Sequence, residues 1–388
     1  MSSWSMVSLS DLGQVSRGKS KHRPRNDASL YGGDYPFIQT GDVKEANFYI
    51  NNYSQTYNEK GLKQSKLWGK DTLCITIAAN IAESALLSFP ACFPDSIVGF
   101  TPYEGVSDVR YVKYLLDNYK AEFQKRSKGA TQDNLSVDKI NALKVKVADY
   151  PSQIRIANLI STYDYLIEIN LRRIRIVEEI TQRLYTKWFV KFKFPGHENI
   201  RMIDSESIFR RIPEGWSVIK IGNILKPSSK TLKTKKSDYL NEGKYPIVDQ
   251  GSDFISGRTN NKNALLDPGV IVFGDHTRVF KYCNFEFARG ADGTQILDSK
   301  NKDSLPNILL YYMAMNAGLK DYKYARHFKF LKDLKIILPN SKVSSAFVNI
   351  VENYYLLVSS FRLQNELLMK SRNLLIENLI TGKKILKQ

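Results

Sequence analysis

The sequence predicts a mixed α/β (α+β) chain made of two tandem globular units, each followed by a long helical rod. Three observations carry that reading. Two long stretches, Ser152 to Phe189 and Ser345 to about Ile380, place apolar residues at the coiled-coil seam period. The layout ahead of the first stretch recurs about 200 residues later ahead of the second, which is the mark of an internal repeat. At 388 residues the chain also exceeds the usual size of a single core, so two or three folded units are expected.

The first unit, residues 1–150, opens on Trp4-Ser-Met-Val-Ser-Leu9, an alternating strand-like hexad led by tryptophan. Tyr35-Pro-Phe-Ile-Gln-Thr-Gly-Asp42 and the apolar strand Thr72-Leu-Cys-Ile-Thr-Ile77 follow. A helix is expected around Val112 to Phe123, and then the alternating strand Ala142-Leu-Lys-Val-Lys-Val147, which leads through Pro151 into the rod.

The first rod, residues 151–194, carries Ile160, Tyr163, Ile167, Leu171, Ile174, Val177, Ile180, Leu184 and Trp188 in steps of three and four. No Gly or Pro interrupts Ser152 to Phe189. Pro151 sits where a first-turn proline is tolerated, and Pro195-Gly196 marks the stop. At 1.5 Å per residue the rod would be roughly 55 Å long. Residues 195–211, basic and broken by Pro195-Gly196, read as a linker, or as an extension of the rod that docks on the second unit.

The second unit, residues 212–340, repeats the order with diverged residues. Trp216-Ser-Val-Ile-Lys-Ile221 answers the opening hexad, and Tyr245-Pro-Ile-Val-Asp-Gln-Gly-Ser252 answers Tyr35 to Asp42. Gly269-Val-Ile-Val-Phe273 is the apolar strand, Ile308 to Ala317 the helix, and Leu334-Lys-Ile-Ile-Leu338 the closing strand. In the second rod, residues 341–388, Phe347, Tyr354, Phe361, Leu368 and Leu375 keep a seven-residue spacing, and Ile350, Val351, Leu357, Val358 and Leu379 widen the stripe. Ile156-Ala-Asn-Leu-Ile160 matches Phe347-Val-Asn-Ile-Val351. Two rods with matching seams have an obvious partner in each other; the alternative is two unrelated amphipathic helices packed on separate cores.

Composition narrows the function. With 57 Lys+Arg against 39 Asp+Glu the net charge is +18, which suits a polyanion, because cationic side chains displace condensed counterions from phosphate backbones. A merely soluble basic protein or a membrane-surface protein would share the charge, but no basic amphipathic helix with bulky membrane-facing aromatics stands out. No apolar run approaches the roughly 20 residues that span a bilayer, and the N-terminus lacks a signal-peptide layout, so a cytoplasmic protein is expected. Cys74, Cys92 and Cys283 are odd in number and show no CxxC spacing; His22, His197, His276 and His327 are scattered. Neither a disulfide framework nor a metal site is expected.

Motifs for catalysis are missing. There is no G-x-x-x-x-G-K-[ST] phosphate loop, no Asn-Pro-Pro-Tyr, no Gly-x-Ser-x-Gly and no His-Glu-x-x-His. Ala288 to Thr294 contains glycines without dinucleotide-fold spacing. Recognition chemistry is better represented. Arg126, Lys128, Thr131, Gln132 and Asn134 lie in a basic polar loop, where Arg and Lys suit phosphates and Gln and Asn suit adenine edges. The positional partner in the second unit holds Arg326, His327 and Lys329, and also reads as a loop. Asn80 and the run Asp275, His276, Thr277, Arg278 each follow an apolar strand directly; Gln39 with Thr40 and Asp249 with Gln250 do likewise. Ordinary turn and cap chemistry is the competing account for each of these loops. One His beside one Asp in Gly-Asp-His-Thr also fits a metal or acid–base site, a weak pattern without supporting geometry.

The layout resembles the specificity subunits of type I restriction–modification enzymes over essentially the whole chain. The most specific local features are Leu184-Tyr-Thr-Lys-Trp-Phe189 running into Phe192-Lys-Phe-Pro-Gly-His197, and the repeated helix. Phe273-Gly-Asp-His-Thr-Arg278 with Ala291-Asp-Gly-Thr294, and Ile75-Thr-Ile-Ala-Ala-Asn80 with Asp95-Ser-Ile-Val-Gly99, look like segments of target recognition domains. Tyr150-Pro-Ser-Gln-Ile keeps the proline and glutamine often found at the first helix start; Leu338-Pro-Asn-Ser-Lys departs from it.

The resemblance implies two target recognition domains, each reading one half of a bipartite DNA sequence. It also implies two spacer helices paired as an antiparallel coiled coil with pseudo-twofold symmetry, the seam carried by Ile160, Ile167, Ile174, Leu184, Phe347, Tyr354, Phe361, Leu368 and Leu375. The implied partners are double-stranded DNA, two modification subunits that methylate adenine with S-adenosylmethionine, and restriction subunits that use ATP and magnesium. This chain itself would hold no cofactor or metal and would be non-catalytic. The rivals are a fused nuclease or methyltransferase with an unrecognised active site, and a structural coiled-coil DNA-binding protein.

Overall fold

The computed structural model describes residues 3–127, 136–142, 144–205, 209–227, 231–320 and 326–386, with side chains of 125–127 left aside. It divides into two compact units, Met1–Leu171 with Leu363–Gln388, and Arg172–Arg362. Each unit thus contains part of both long helices.

In the first unit, Trp4–Val7 pairs antiparallel with Val145–Ala148, beside the start of the long helix. A five-stranded sheet runs Gly13–Arg17, Ile97–Pro102, Leu73–Thr76, Ser84–Leu87, Tyr49–Ile50. Its strand Leu73–Thr76 is buried on both faces because alternate side chains enter different cores. Leu73 and Ile75 pack with Tyr111, Val112 and Leu115 of the helix Val109–Ser127. Cys74 faces the other way, among Trp68, Ala85, Phe93 and Ile97. A second sheet, Gln55–Tyr57, Tyr31–Phe37, Ala91–Cys92, Leu67–Trp68, completes the unit.

The second unit repeats this plan. Ser217–Lys220 pairs antiparallel with Lys335–Leu338. The apolar strand Val270–Gly274 lies between Phe280–Cys283 and Thr294–Leu297. Ile271 and Phe273 join one core and Val270 and Val272 another, the same division of labour as Leu73, Ile75 and Cys74. Tyr245–Val248 pairs parallel with Phe287–Arg289, as Tyr31–Phe37 does with Ala91–Cys92. Within and just after the expected linker, Met202–Asp204 pairs antiparallel with Arg211–Pro213, and ahead of it the Phe194 ring stacks on Trp216 with centroids 5.1 Å apart.

The long helices run Tyr150–Tyr185 and Ser341–Leu375, and each ends in a π-helical turn, Thr186–Val190 and Ile376–Ile380. Each start is capped from three residues upstream: Asp149 Oδ1 accepts from Ser152 N at 2.9 Å, and Asn340 Oδ1 from Val343 N at 3.0 Å. Gln153 bolts the first start in place, donating to Ala148 O at 2.9 Å and accepting from Asp108 N at 3.1 Å. The wider π turn brings neighbouring Trp188 and Phe189 both inward in the first helix, and Leu379 and Ile380 in the second.

The helices pair with each other, and antiparallel, within each unit. In the first unit Ile156 and Ile160 share a core with Ile376, Leu379 and Ile380, while Asp164 meets Arg372 and Asn170 meets Asn365. In the second, Ile174 and Val177 pack on Val358 and Phe361, and Tyr185, Trp188 and Phe189 surround Phe347. Of the expected seam, Ile160, Ile167, Ile174, Phe347 and Phe361 are buried, and Leu184, Tyr354, Leu368 and Leu375 half-buried.

The seam also holds residues that were not expected there: Asp164, Asn170, Thr181, Ser344 and Asn365 are buried polar members. On the second helix the neighbouring column Val351, Val358, Asn365, Arg372, Leu379 alternates with the expected one, as a and d positions do. Ile180, expected in the seam series of the first rod, and Ile350 and Leu357, expected to widen the stripe of the second, are exposed. No helix among the described residues is long and apolar enough to cross a membrane.

Candidate nucleic-acid interface

In the second unit four segments meet at the end of the strand Val270–Gly274. The hairpin loop 275–279 turns back into Phe280–Cys283, closed by Gly274 N donating to Val279 O at 2.8 Å. Gly274 is required there, because a Cβ would stand 2.0 Å from the Thr277 hydroxyl oxygen. Arg278 adopts φ +61, a left-handed conformation that costs a non-glycine residue about 1 kcal/mol or more and persists only where the surroundings impose it.

Those surroundings are hydrogen bonds. Asp275 is buried; its backbone oxygen accepts from His327 N at 2.8 Å and from His327 Nδ1 at 2.9 Å, and its Oδ1 accepts from Phe328 N at 2.8 Å. Asp275 N donates to Gly293 O at 2.8 Å. Gln250 staples the loop to the turn 290–293. Its Nε2 donates to Asp292 O at 2.9 Å, its Oε1 accepts from His276 N at 3.2 Å, and its backbone oxygen accepts from Thr277 Oγ1 at 2.6 Å.

Beneath the loops lies a charged support. Burial disfavours the ionised Asp249, but donors Ser256 and Gly251 N and the nearby Lys281 ammonium overcome it and hold the carboxyl below its usual range. Burial pushes the Lys281 amine down; its ammonium donates to Asp249 O at 2.9 Å and also to Asp253 O. Burial likewise lowers the Arg289 guanidinium, whose Nε donates to Thr294 O at 3.1 Å. At the surface stand His276, Thr277, Arg326 and Lys329, with Arg278 half-buried. Lys233 and Asp292 pair at 3.0 Å on the adjoining turn.

The first unit has a matching loop, 77–83, after the matching strand. Ala79 and Ala82 there have φ +61 and +63. Thr76 Oγ1 donates to Asn80 O and accepts from Glu83 N at 3.0 Å, pinning both ends of the turn. Ile77 N donates to Ser96 O at 3.0 Å, tying the loop to the segment Asp95–Gly99, where Arg25 grips Asp95 at 2.6 and 2.8 Å. Strained, supported loops bearing polar and cationic side chains can anchor a phosphate backbone and present donors and acceptors to base edges. No group of His, Cys, Asp and Glu among the described residues could hold a metal ion.

Comparison with known proteins bears on this geometry directly. The family described as type I restriction modification DNA specificity domain matches residues 1–179 and 213–367. The chain belongs to this family. The type I restriction enzyme MjaIX specificity subunit of Methanocaldococcus jannaschii is 23% identical over 98% of this chain and 93% of its own length. The HindI specificity subunit of Haemophilus influenzae is 26% identical over 50% of this chain and 42% of its own. The crystal structure of the type I restriction–modification system S subunit from M. genitalium shares the fold, with TM-score 0.58 and 15% identity over 100% of this chain and 97% of that one. DNA-sequence recognition, rather than catalysis, is the part such a specificity subunit plays.

For a specificity subunit the sequence-predicted residues separate into two groups. His276, Thr277, Arg326 and Lys329 are exposed and Arg278 half-exposed on the two segments of the second unit that the Asp275–His327 bonds join, and Thr40 and Asn80 are half-exposed in the first. Asp275, His327, Gln250 and Asp249 are engaged by the protein itself. The expected loop at 326–329 is a helix, His327–Asp333, whose first turn is held by Asp275. Gln39 closes a capping box with Asp42 over the short helix Thr40–Glu45 and donates to Gln55 Oε1 at 2.6 Å. Lys128, Thr131, Gln132 and Asn134, and the Arg126 side chain, lie outside the described residues. Lys233 joins the cluster without having stood out, and Asp292 joins it from the segment Ala291–Thr294, which the resemblance marks without naming Asp292 as a site residue.

Proposed function

We propose that each unit reads one half of a bipartite duplex target, and that the length of the paired helices sets the gap between the halves. The observation that carries this reading is the matched pair of strained hairpin loops, Ala79 and Ala82 in one unit and Arg278 in the other, each following the equivalent apolar strand. A loop that keeps a left-handed non-glycine residue on a rigid strand end is pre-organised, which recognition demands and mere solvation does not. The excess of cations supplies sequence-independent affinity for phosphates, while the exposed polar tips supply the choice of base.

The reading extends to partners by family membership. Two modification subunits methylate adenine with S-adenosylmethionine, and restriction subunits translocate with ATP and cleave with magnesium, on DNA in the cytoplasm. This chain supplies the address and they supply the chemistry.

Exchange of residues 212–340 for the corresponding segment of another family member is the test. Mapping of methylated adenines by single-molecule sequencing is expected to show one half of the target replaced and the other retained. If both halves change, or neither, the assignment of one half-site to each unit is wrong.

A further inference from the structure

Asp292 is out of place on a DNA-facing surface. Its side chain is 98% exposed, among cations, in a protein of net charge +18. A carboxylate that faces phosphates is repelled by them, so its presence costs affinity unless it accepts a hydrogen bond from something on the DNA. The turn that carries it is also held more firmly than a solvent loop needs. Gln250 Nε2 grips the Asp292 carbonyl at 2.9 Å, Asp275 N grips Gly293 O at 2.8 Å, and Ala291 N donates to the Tyr239 hydroxyl at 3.0 Å. Gly293 sits at φ +84, and a Cβ there would meet the Gln250 amide at 2.4 Å. All these bonds reach the backbone. The side chain is left with Lys233 at 3.0 Å, a partner itself open to solvent, and with the more distant charge of Arg326.

A carboxylate only accepts hydrogen bonds, and the donors on base edges in the major groove are the exocyclic amines, N4 of cytosine and N6 of adenine. We propose that Asp292 is a specificity-determining residue of the second unit, its carboxylate accepting from the exocyclic amino group of a cytosine or adenine in the major groove. This rests on the reading of the 250/275–278/290–293 cluster as the surface that meets DNA. Lys233 holds the carboxylate in position before binding and is free to turn to a phosphate afterwards.

The test compares the full chain with its Asp292→Ala variant on a library of randomised duplexes at one fixed salt concentration. The substitution spares the backbone bonds that hold the turn. One base position in one half-site is expected to lose a preference for cytosine or adenine of roughly tenfold or more, with the other positions unchanged. In a second arm, that base is replaced by an analogue lacking the exocyclic amine. The wild-type chain loses about the same factor, the variant is indifferent, and the responding analogue says whether cytosine or adenine is read.

An unchanged motif with uniformly tighter binding would show a carboxylate that merely repels phosphates, and would overturn the proposal. Uniformly weaker binding with an unchanged motif would show a structural role and overturn it equally. Arg278→Ala and Arg326→Ala on the same library separate the two levels. If they weaken binding while Asp292→Ala leaves the motif intact, only the role of Asp292 is wrong. If none of the three changes binding, the cluster does not face DNA at all.

Discussion

The two units hold the same pair of helices with different chemistry at the centre of the contact. In the first, the apolar contact of Ile156 and Ile160 with Ile376, Leu379 and Ile380 gives way to a buried polar stretch: Asp164 accepts from the Tyr114 hydroxyl and from Arg372, each at 2.5 Å, and Asn170 donates to Asn365 Oδ1 at 3.0 Å. In the second it is aromatic: Phe347 lies in edge contact with Phe189 at 4.9 Å and Tyr312 at 5.8 Å, with Trp188 and Tyr185 beside it. The repeat makes the contrast sharp. Aligning Ile156–Ile160 with Phe347–Val351 sets Asp164 opposite Tyr355, whose ring packs edge-on against Tyr282 at 4.9 Å. One site therefore carries a carboxylate in one copy and a phenol in the other. Layout survives such exchange because burial is demanded only of the position; each copy then satisfies its occupant locally.

The contrast is broken most severely from the aromatic side. Phe347 is fully buried, so Phe347→Ala removes its ring from water-free contact and leaves a cavity, at a cost of about 4–5 kcal/mol. Arg372→Met on the polar side should cost about 3 kcal/mol, because the Asp164 carboxyl, only 4% exposed, is left without its cation. Repair distinguishes the two. Adding Tyr114→Phe and Asp164→Leu to Arg372→Met removes every polar group of the network and is expected to recover most of that loss. No comparable polar-to-apolar rescue exists for Phe347→Ala. Denaturant unfolding, with hydrogen exchange to assign the loss to one unit, gives the numbers; failure of the triple variant to recover would mean the network contributes more than charge compensation.

A smaller effect sharpens the same comparison. Asn170→Leu alone leaves the Asn365 carboxamide oxygen without its donor and should cost about 1–2 kcal/mol. Asn170→Leu with Asn365→Leu should return stability to the wild-type level or above it, yet weaken the choice of register, since buried amide pairs penalise slipped alignments that leucine tolerates. Cysteine cross-linking across the helix pair reads register directly. A double variant that cross-links at a single register as cleanly as wild type would show that the units alone fix the alignment.

Much of the architecture was legible because it rests on repetition and period. The opening hexads became the strands Trp4–Val7 and Ser217–Lys220, and the apolar runs became Leu73–Thr76 and Val270–Gly274. The polar half of the helix seam was not legible for a physical reason: period analysis counts apolar residues, so Asn365 and Arg372 drop out of a column in which they stand beside Val351, Val358 and Leu379. At the candidate interface, residue type told which bonds a side chain can make but not with whom. Gln250 and His327 have the right chemistry for a base edge and use it on His276, Asp292 and Asp275. Asp292 shows the converse: its segment Ala291–Thr294 is marked by resemblance, but an acidic residue in a basic protein is not picked out as a site residue until the turn beneath it is seen.

The smallest expected effect is the pH response that Asp249 gives to the second unit. The first unit has no carboxylate beneath its loop in the place of Asp249; the aligned residue is the neutral Gln39. With Asp249 below its usual range when folded, its contribution is fully present above the unfolded value near 3.8, and is lost as pH falls from there toward the folded value. Since the group is partly exposed, the loss should stay below about 1 kcal/mol. It is expected to appear as weakened protection of amides in 249–256 and in the loop 275–279, apart from any response of the loop 77–83, where Glu83 pairs with Lys120 at 2.7 Å. Asp249→Asn should flatten that response while leaving the first unit's titration as it was. Equal loss of protection in both loops on acidification would mean that the pH response is global, and that Asp249 is not its source.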